Sequence, residues 1–122
     1  MNRAELEQRT KKFHVDIIKL CSEFPKNAAG FETAKQLIRA AGSVGANYRA
    51  TKRSKSNADF IYKVEVVLEE ADESLYWLEV INEAGIKTGN EVERLIDEAN
   101  QLTAIFAATD KTAKSNRNKS DI

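Results

Sequence analysis

Residues 56–85 read SNADFIYKVEVVLEEADESLYWLEVINEAG. Phe60, Val64, Val67, Leu68, Ala71, Leu75, Leu78 and Ile81 recur at near-heptad intervals, which stacks them along one side of an α-helix about seven turns long. Ser56 followed by Asp59 has the spacing of a capping box, whose hydroxyl and carboxylate satisfy the orphan N–H groups at a helix start. Gly85 then supplies the residue that commonly closes a helix. No segment of the chain reads as a strand outside the helical pattern.

Toward the C-terminus, Asn90 with Glu93 repeats the capping pattern, and Val92, Leu95, Ile96, Ala99, Leu102 and Phe106 carry a fourth helix to about Thr109. Residues 111–122, rich in Lys, Ser and Asn, are expected to form a disordered basic tail. Its bases Lys111, Lys114, Arg117 and Lys119 could add non-specific phosphate affinity or serve solubility alone. Toward the N-terminus, Phe31, Ala34, Leu37, Ile38, Ala41, Val44 and Tyr48 mark a second helix that follows Gly30 and ends near Ser54. Leu6, Phe13, Ile17, Leu20 and Phe24 mark a first, running from Ala4 until Pro25 stops it. Four amphipathic helices with short connections predict an all-α fold, an antiparallel up-down-up-down four-helix bundle filling residues 1–110 as a single domain.

Composition agrees. The 122 residues are 42% hydrophobic and 31% charged, enough apolar matter for one core and too much for a disordered chain. One Pro and five Gly are too few to punctuate a sandwich or barrel. No uncharged stretch approaches the roughly 18 to 20 apolar residues of a spanning helix. The single Cys21 cannot form an intrachain disulfide, and no charged-then-apolar leader opens the chain, so a reduced, cytoplasmic protein is expected.

Several chemistries fail on residue count. His14 alone cannot supply the paired Glu-x-x-His ligands of a di-iron bundle, and one His with one Cys falls short of a zinc site within one chain. His14 and Cys21 stand two turns apart, about 10 Å along one helix, too far for a thiolate–imidazole pair. Cys21 therefore reads as a packing residue and His14 as a surface or bundle-edge side chain. No phosphate-loop motif occurs, since Gly42 and Gly45 lie inside a helical pattern. No catalytic residue, metal or cofactor is assigned, and the chain reads as a non-enzyme.

The charge pattern is less ordinary. Nineteen bases and nineteen acids cancel, so any electrostatic partner must see a local patch. From Lys35 to Lys63 there are Lys35, Arg39, Arg49, Lys52, Arg53, Lys55 and Lys63 against Asp59 alone, a local charge of +6. From Val64 to Ala84 there are seven acids and no base, a local charge of −7. On the second helix Lys35, Arg39, Arg49 and Arg53 flank a notch at Gly42 and Ala46, away from the apolar stripe. Two helix-interior glycines, Gly42 and Gly45, cost about 1 kcal/mol each relative to Ala, and close helix packing would explain them. Three readings of the basic face remain open: solvated charge matched by the acids of helix three, a subunit interface in which that acidic face (Glu65, Glu69, Asp72 and Glu79) meets a neighbour's basic face, and phosphate binding. Tyr76 and Trp77, adjacent on the third helix, diverge by about 100 degrees, so one can pack while the other faces outward.

An ordered set of residues within 36–85 resembles the bacterial 23S rRNA intervening-sequence proteins. Arg39-Ala40-Ala41, Ser43 and Ala46-Asn47-Tyr48 match the family's helix-two run; Ser56, Asp59 and Phe60 match its Ser-x-x-Asp-Phe; Glu70, Glu73, Trp77 and Leu78 match its Glu-x-x-Glu-x-x-x-Trp-Leu. The resemblance implies a left-handed antiparallel four-helix bundle assembled as a homopentamer, with no catalytic activity. It also implies a link to nucleic acid, because members are often encoded within ribosomal RNA genes and related accessory proteins bind nucleic acid through basic surfaces. Many members carry a Glu-Gly pair where this chain has Arg49-Ala50-Thr51, a departure that adds positive charge. Ser43, Asn47, Glu70 and Glu73 lie near the packing faces and are expected to form a hydrogen-bond network between helices two and three.

The resulting expectation is a homo-oligomeric bundle that binds RNA or another nucleic acid through Lys35, Arg39, Arg49, Lys52, Arg53, Lys55 and Lys63, mostly at phosphates. The alternative is a protein-interaction scaffold or adaptor whose charged faces serve assembly only.

Overall fold

The computed structural model describes residues 1–120. Four helices follow in order, α1 (Arg3–Cys21), α2 (Ala28–Ala50), α3 (Asn57–Glu83) and α4 (Asn90–Ser120), with a 3-10 turn over Thr51–Arg53 between α2 and α3. No strand occurs among the described residues.

Side-chain ties show how the helices run. Glu23, Asp16 and Arg9 of α1 and its following turn pair in that order with Lys87, Arg94 and Glu98, so α1 and α4 are antiparallel. Lys114 reaches Glu65, near the start of α3, so α4 also runs antiparallel to α3. Arg3 bonds Thr51 while His14 lies over Gly42, so α1 and α2 are antiparallel as well. Each helix packs its backbone beside two neighbours, α2 beside α1 and α3, α4 beside α3 and α1, and the diagonal helices meet only through side chains in the core, as Tyr48 of α2 and Phe106 of α4 do. This is the expected up-down-up-down bundle.

The apolar stripes meet inside. Phe13, Ile17, Leu37, Val44, Val67, Leu78, Ile81, Leu95, Leu102 and Phe106 are all essentially inaccessible, and burying a side chain of this kind stabilises by about 1.5–3 kcal/mol. The Tyr48 and Phe106 rings meet with centroids 5.3 Å apart, and the Arg3 guanidinium lies 4.9 Å above Tyr48, closing one end of the core. The buried hydroxyls are satisfied within their own helices: Thr10 donates to the carbonyls of Leu6 and Glu7, and Ser74 to that of Glu70.

The helix ends follow local chemistry. Asn2 and Glu5 form a reciprocal capping box on α1, and Asn27 caps α2 by accepting from the Gly30 N–H. Ser56 caps α3 as expected, accepting from Asp59 N–H at 3.0 Å, whereas the Asp59 carboxylate takes the Lys55 N–H rather than that of Ser56. At the far end of α3 the Ile86 N–H reaches the Ile81 carbonyl and the Gly85 N–H that of Asn82, a Schellman closure that requires the φ of +72° held by Gly85.

Several boundaries differ from expectation. α1 ends at Cys21 rather than Phe24, because the Glu23 and Phe24 N–H groups bond three residues back and turn the chain ahead of Pro25. α2 ends at Ala50 rather than near Ser54, because the Thr51 and Ser54 hydroxyls bond the Tyr48 and Thr51 carbonyls and tighten the chain into a 3-10 turn. Asn90 is the first residue of α4 rather than its cap, and Gly89 at φ +113° precedes it.

The largest difference is at the C-terminus. α4 does not stop near Thr109 but continues to Ser120, so residues 111–120, expected as disordered tail, are helical. The extension runs beside the first turns of α3, where Phe60 and Ile61 line crevices shared with Thr109, Ala113 and Asn116 of α4. Lys114 adds ion pairs to Glu65 and Asp110. The remainder of the expected tail, residues 121–122, lies outside the described residues.

Candidate nucleic-acid interface

Helical spacing carries Lys35, Arg39, Gly42, Ala46 and Arg49 along one side of α2, and the 3-10 turn adds Lys52 and Arg53 beyond its end. The notch at Gly42 does not stand open to solvent or to another chain, because α1 packs beside it. A Cβ on Gly42 would come within 2.9 Å of His14 Nε2, and one on Gly45 would meet the Thr10 main chain at 3.6 Å. The two glycines therefore have the packing reason their cost demanded.

The result is a groove of about 450 Å³ between the two helices. α1 contributes Glu7, Gln8, Lys11 and His14; Gly42, Gly45 and Ala46 form the α2 side; Arg49 and Lys52 stand at one end. Sequence reading missed Gln8, Lys11 and His14 as members of this surface. The available signal was the spacing of Glu7, Lys11 and His14 by four and three, which aligns them beside the buried stripe of α1.

The seven bases expected to contact nucleic acid divide into two groups. Lys35, Arg49 and Arg53 are exposed and have no acidic partner among the described residues. Lys55 is also exposed and lies by Asp59 through its main-chain N–H. The other three are engaged within the chain. Arg39 reaches across to α3, pairing with Glu70 at 3.1 Å and with Glu73. Lys52 stands 3.4 Å from Glu7 Oε1, an ion-pair distance without hydrogen-bond geometry, and Lys63 pairs with Asp59 at 2.7 Å.

These contacts set the local electrostatics. The Lys63 ammonium, helped by the Lys55 N–H, holds the Asp59 carboxyl below its ordinary value. Burial pushes the Glu70 carboxyl up despite the opposing charge of Arg39. Arg39 is half exposed, so its pairs contribute at most about 1 kcal/mol.

The expected polar network between α2 and α3 takes a different form. Glu70 and Glu73 do tie the two helices, but through Arg39 rather than through Ser43 and Asn47. The Asn47 amide instead donates to the Ser43 carbonyl within α2, a bond that i,i+4 spacing makes locally available. Trp77 packs partly against the core, while Tyr76 is exposed and meets it edge to face at 5.3 Å. Phe60 lines the crevice where α3 meets the end of α4.

Among the described residues, no group of three His, Cys, Asp or Glu side chains could hold a metal. Among the same residues, no helix is long and apolar enough to cross a membrane. Cys21 is buried, and burial pushes its thiol up to about 12.

Comparison with known proteins bears on this surface through the residues that build it. A crystal structure of a protein of unknown function from the S23 ribosomal protein family of Bacteroides thetaiotaomicron superposes with a TM-score of 0.82 at 28% identity, covering 91% of this chain and 99% of that one. No curated protein matches. The family model described as 23S rRNA-intervening sequence protein matches residues 2–108, which takes in α1, α2, α3 and α4 as far as residue 108, with both walls of the groove and the Arg39–Glu70–Glu73 tie. The chain belongs to the 23S rRNA-intervening sequence protein family.

Proposed function

We propose that this protein is a non-enzymatic, homo-oligomeric bundle that binds RNA or another nucleic acid through the basic surface of α2 and the turn after it. The observation that carries this reading is the set of exposed bases Lys35, Arg49 and Arg53, none of which has an acid to neutralise it among the described residues. A solvated face matched by internal acids would have paired them, as Arg39 is paired. Lys55 extends the surface, and Lys52 and Lys63 sit beside it with their charges partly committed. Contacts of this kind go to phosphates and do not read sequence. The family's name, which refers to an intervening sequence of 23S rRNA, is consistent with an RNA partner.

The test is charge reversal. Arg49→Glu with Arg53→Glu should abolish binding to a structured RNA while the helical circular-dichroism spectrum stays unchanged. Wild-type affinity in the folded double variant rejects this face.

A second reading has its own support. The outer side of α3 exposes Glu69, Asp72, Glu79 and Glu83 without a cation partner among the described residues, together with Tyr62 and Tyr76 at 66% and 57% exposure. Such a surface suits a neighbouring copy's basic face, which would make the bundle an assembly scaffold or adaptor. A stable oligomer that ignores RNA at low salt favours it.

A further inference from the structure

The α1–α2 groove combines three properties that a solvated seam between helices does not need. Its volume of about 450 Å³ lies at the small end of the range for ligand clefts. Two of its cations, Lys11 and Arg49, are exposed and carry no acid partner among the described residues. Its α2 side offers only a methyl at exposed Ala46, since α1 already covers Gly42 with the His14 ring and Gly45 with the Thr10 main chain, so a flat group can lie on the Ala46 methyl at the mouth of the groove. The half-buried His14 ring stands beside that surface, held over Gly42.

From this we propose that the groove seats one unpaired nucleotide of a bound strand, its phosphate held by Arg49 and Lys11 and its base lying on the Ala46 methyl beside the His14 ring. The inference rests on the nucleic-acid reading above and deepens it. A base inside a duplex is stacked and cannot reach such a groove, so the site selects single strands, loops or bulges. Imidazole planes stack on bases, and His14 supplies one. Gln8 offers an amide to the base edge without fixing its identity.

The test fills the groove without changing any charge. Ala46→Trp blocks it from α2, and Gln8→Trp blocks it from α1; both positions are exposed, so the two variants guard each other against misfolding. Binding is read by fluorescence anisotropy with a short single-stranded RNA and with the fully paired duplex of the same sequence. Each variant should lose about tenfold in affinity for the single strand, as removal of one base stack does, and keep its affinity for the duplex. Wild-type affinity for the single strand in both filled variants overturns the groove, and if Arg49→Glu with Arg53→Glu still loses binding, the basic face survives that failure. Absence of binding by the wild-type protein to either probe at about 50 mM salt overturns the face and the groove together.

Discussion

The His14 imidazole fills the space that a side chain at Gly42 would need: a Cβ there would stand 2.9 Å from Nε2 and 3.0 Å from Cε1. The pair joins α1 to α2 and shapes the groove between them. Because the atoms met belong to the tip of a side chain, they can swing away.

Gly42→Ala should therefore leave stability within about 1 kcal/mol of wild type, the gain in helix propensity offsetting the displaced ring. Gly30→Ala should behave differently, since its Cβ would fall 1.9 Å from the Pro25 carbonyl oxygen, which moves only with the main chain. Its cost should be about 1–3 kcal/mol, the usual range for overpacking. Urea midpoints of the two variants check the contrast, and equal midpoints would refute it.

Cys21 is the only thiol, and it is buried with its ionisation pushed up to about 12. Native protein at mildly alkaline pH should react with a thiol reagent at a small fraction of the rate seen in denaturant, because the thiolate is scarce and shielded. A fast native reaction would mean that the α1 end of the core opens.

Asp16 joins α1 to α4 through Arg94 and is also held by Lys12. Burial alone would raise its carboxyl, but the hydrogen bonds from Lys12 and Arg94 outweigh it and the net shift is down from 3.8. A carboxyl lowered in the folded state contributes stability that is present above its ordinary value and lost as pH falls through its folded value. Asp16→Asn should thus destabilise near neutral pH by at most about 1 kcal/mol, given the exposure of its partners, and should flatten the acid limb below about pH 4. Denaturation midpoints across that range test the sign.

Arg39 and Arg49 lie on the same side of α2 but should behave as different residues. Arg39 is committed to Glu70 and Glu73, so Arg39→Gln should lower stability by up to about 1 kcal/mol, in a salt-sensitive way, and change RNA affinity little. Arg49→Gln should do the reverse, weakening RNA binding with stability intact. Parallel melts and titrations distinguish the two.

The four stripes, the Ser56 cap and the Gly85 stop were legible because each depends on residues within a few turns of one another. That Tyr76 and Trp77 point different ways followed from helical angle, while docking decided that Trp77 packs and Tyr76 faces outward. What lay beyond reading was set by docking. Nothing local to Arg39 announces that Glu70 and Glu73 will stand across from it, and the α1 residues beside Gly42 depend on the rotation of α1. The helical run to Ser120 was hidden for a related reason: residues 111–120 have almost no apolar stripe, and the tie from Lys114 to Glu65 and the crevice that Ala113 and Asn116 share with Phe60 and Ile61 depend on another helix. The role of the basic face lies a step further off, because exposure and lack of partners follow from the fold while a ligand does not.

The most direct test of that role is RNA binding by anisotropy across a salt series, with the oligomer mass measured in the same buffer. The account predicts an affinity that falls with salt at a log-log slope of several units, on the order of the number of phosphates neutralised, and that vanishes in Arg49→Glu with Arg53→Glu. No binding at about 50 mM salt by a folded, intact oligomer would contradict it and leave the charged faces to assembly alone.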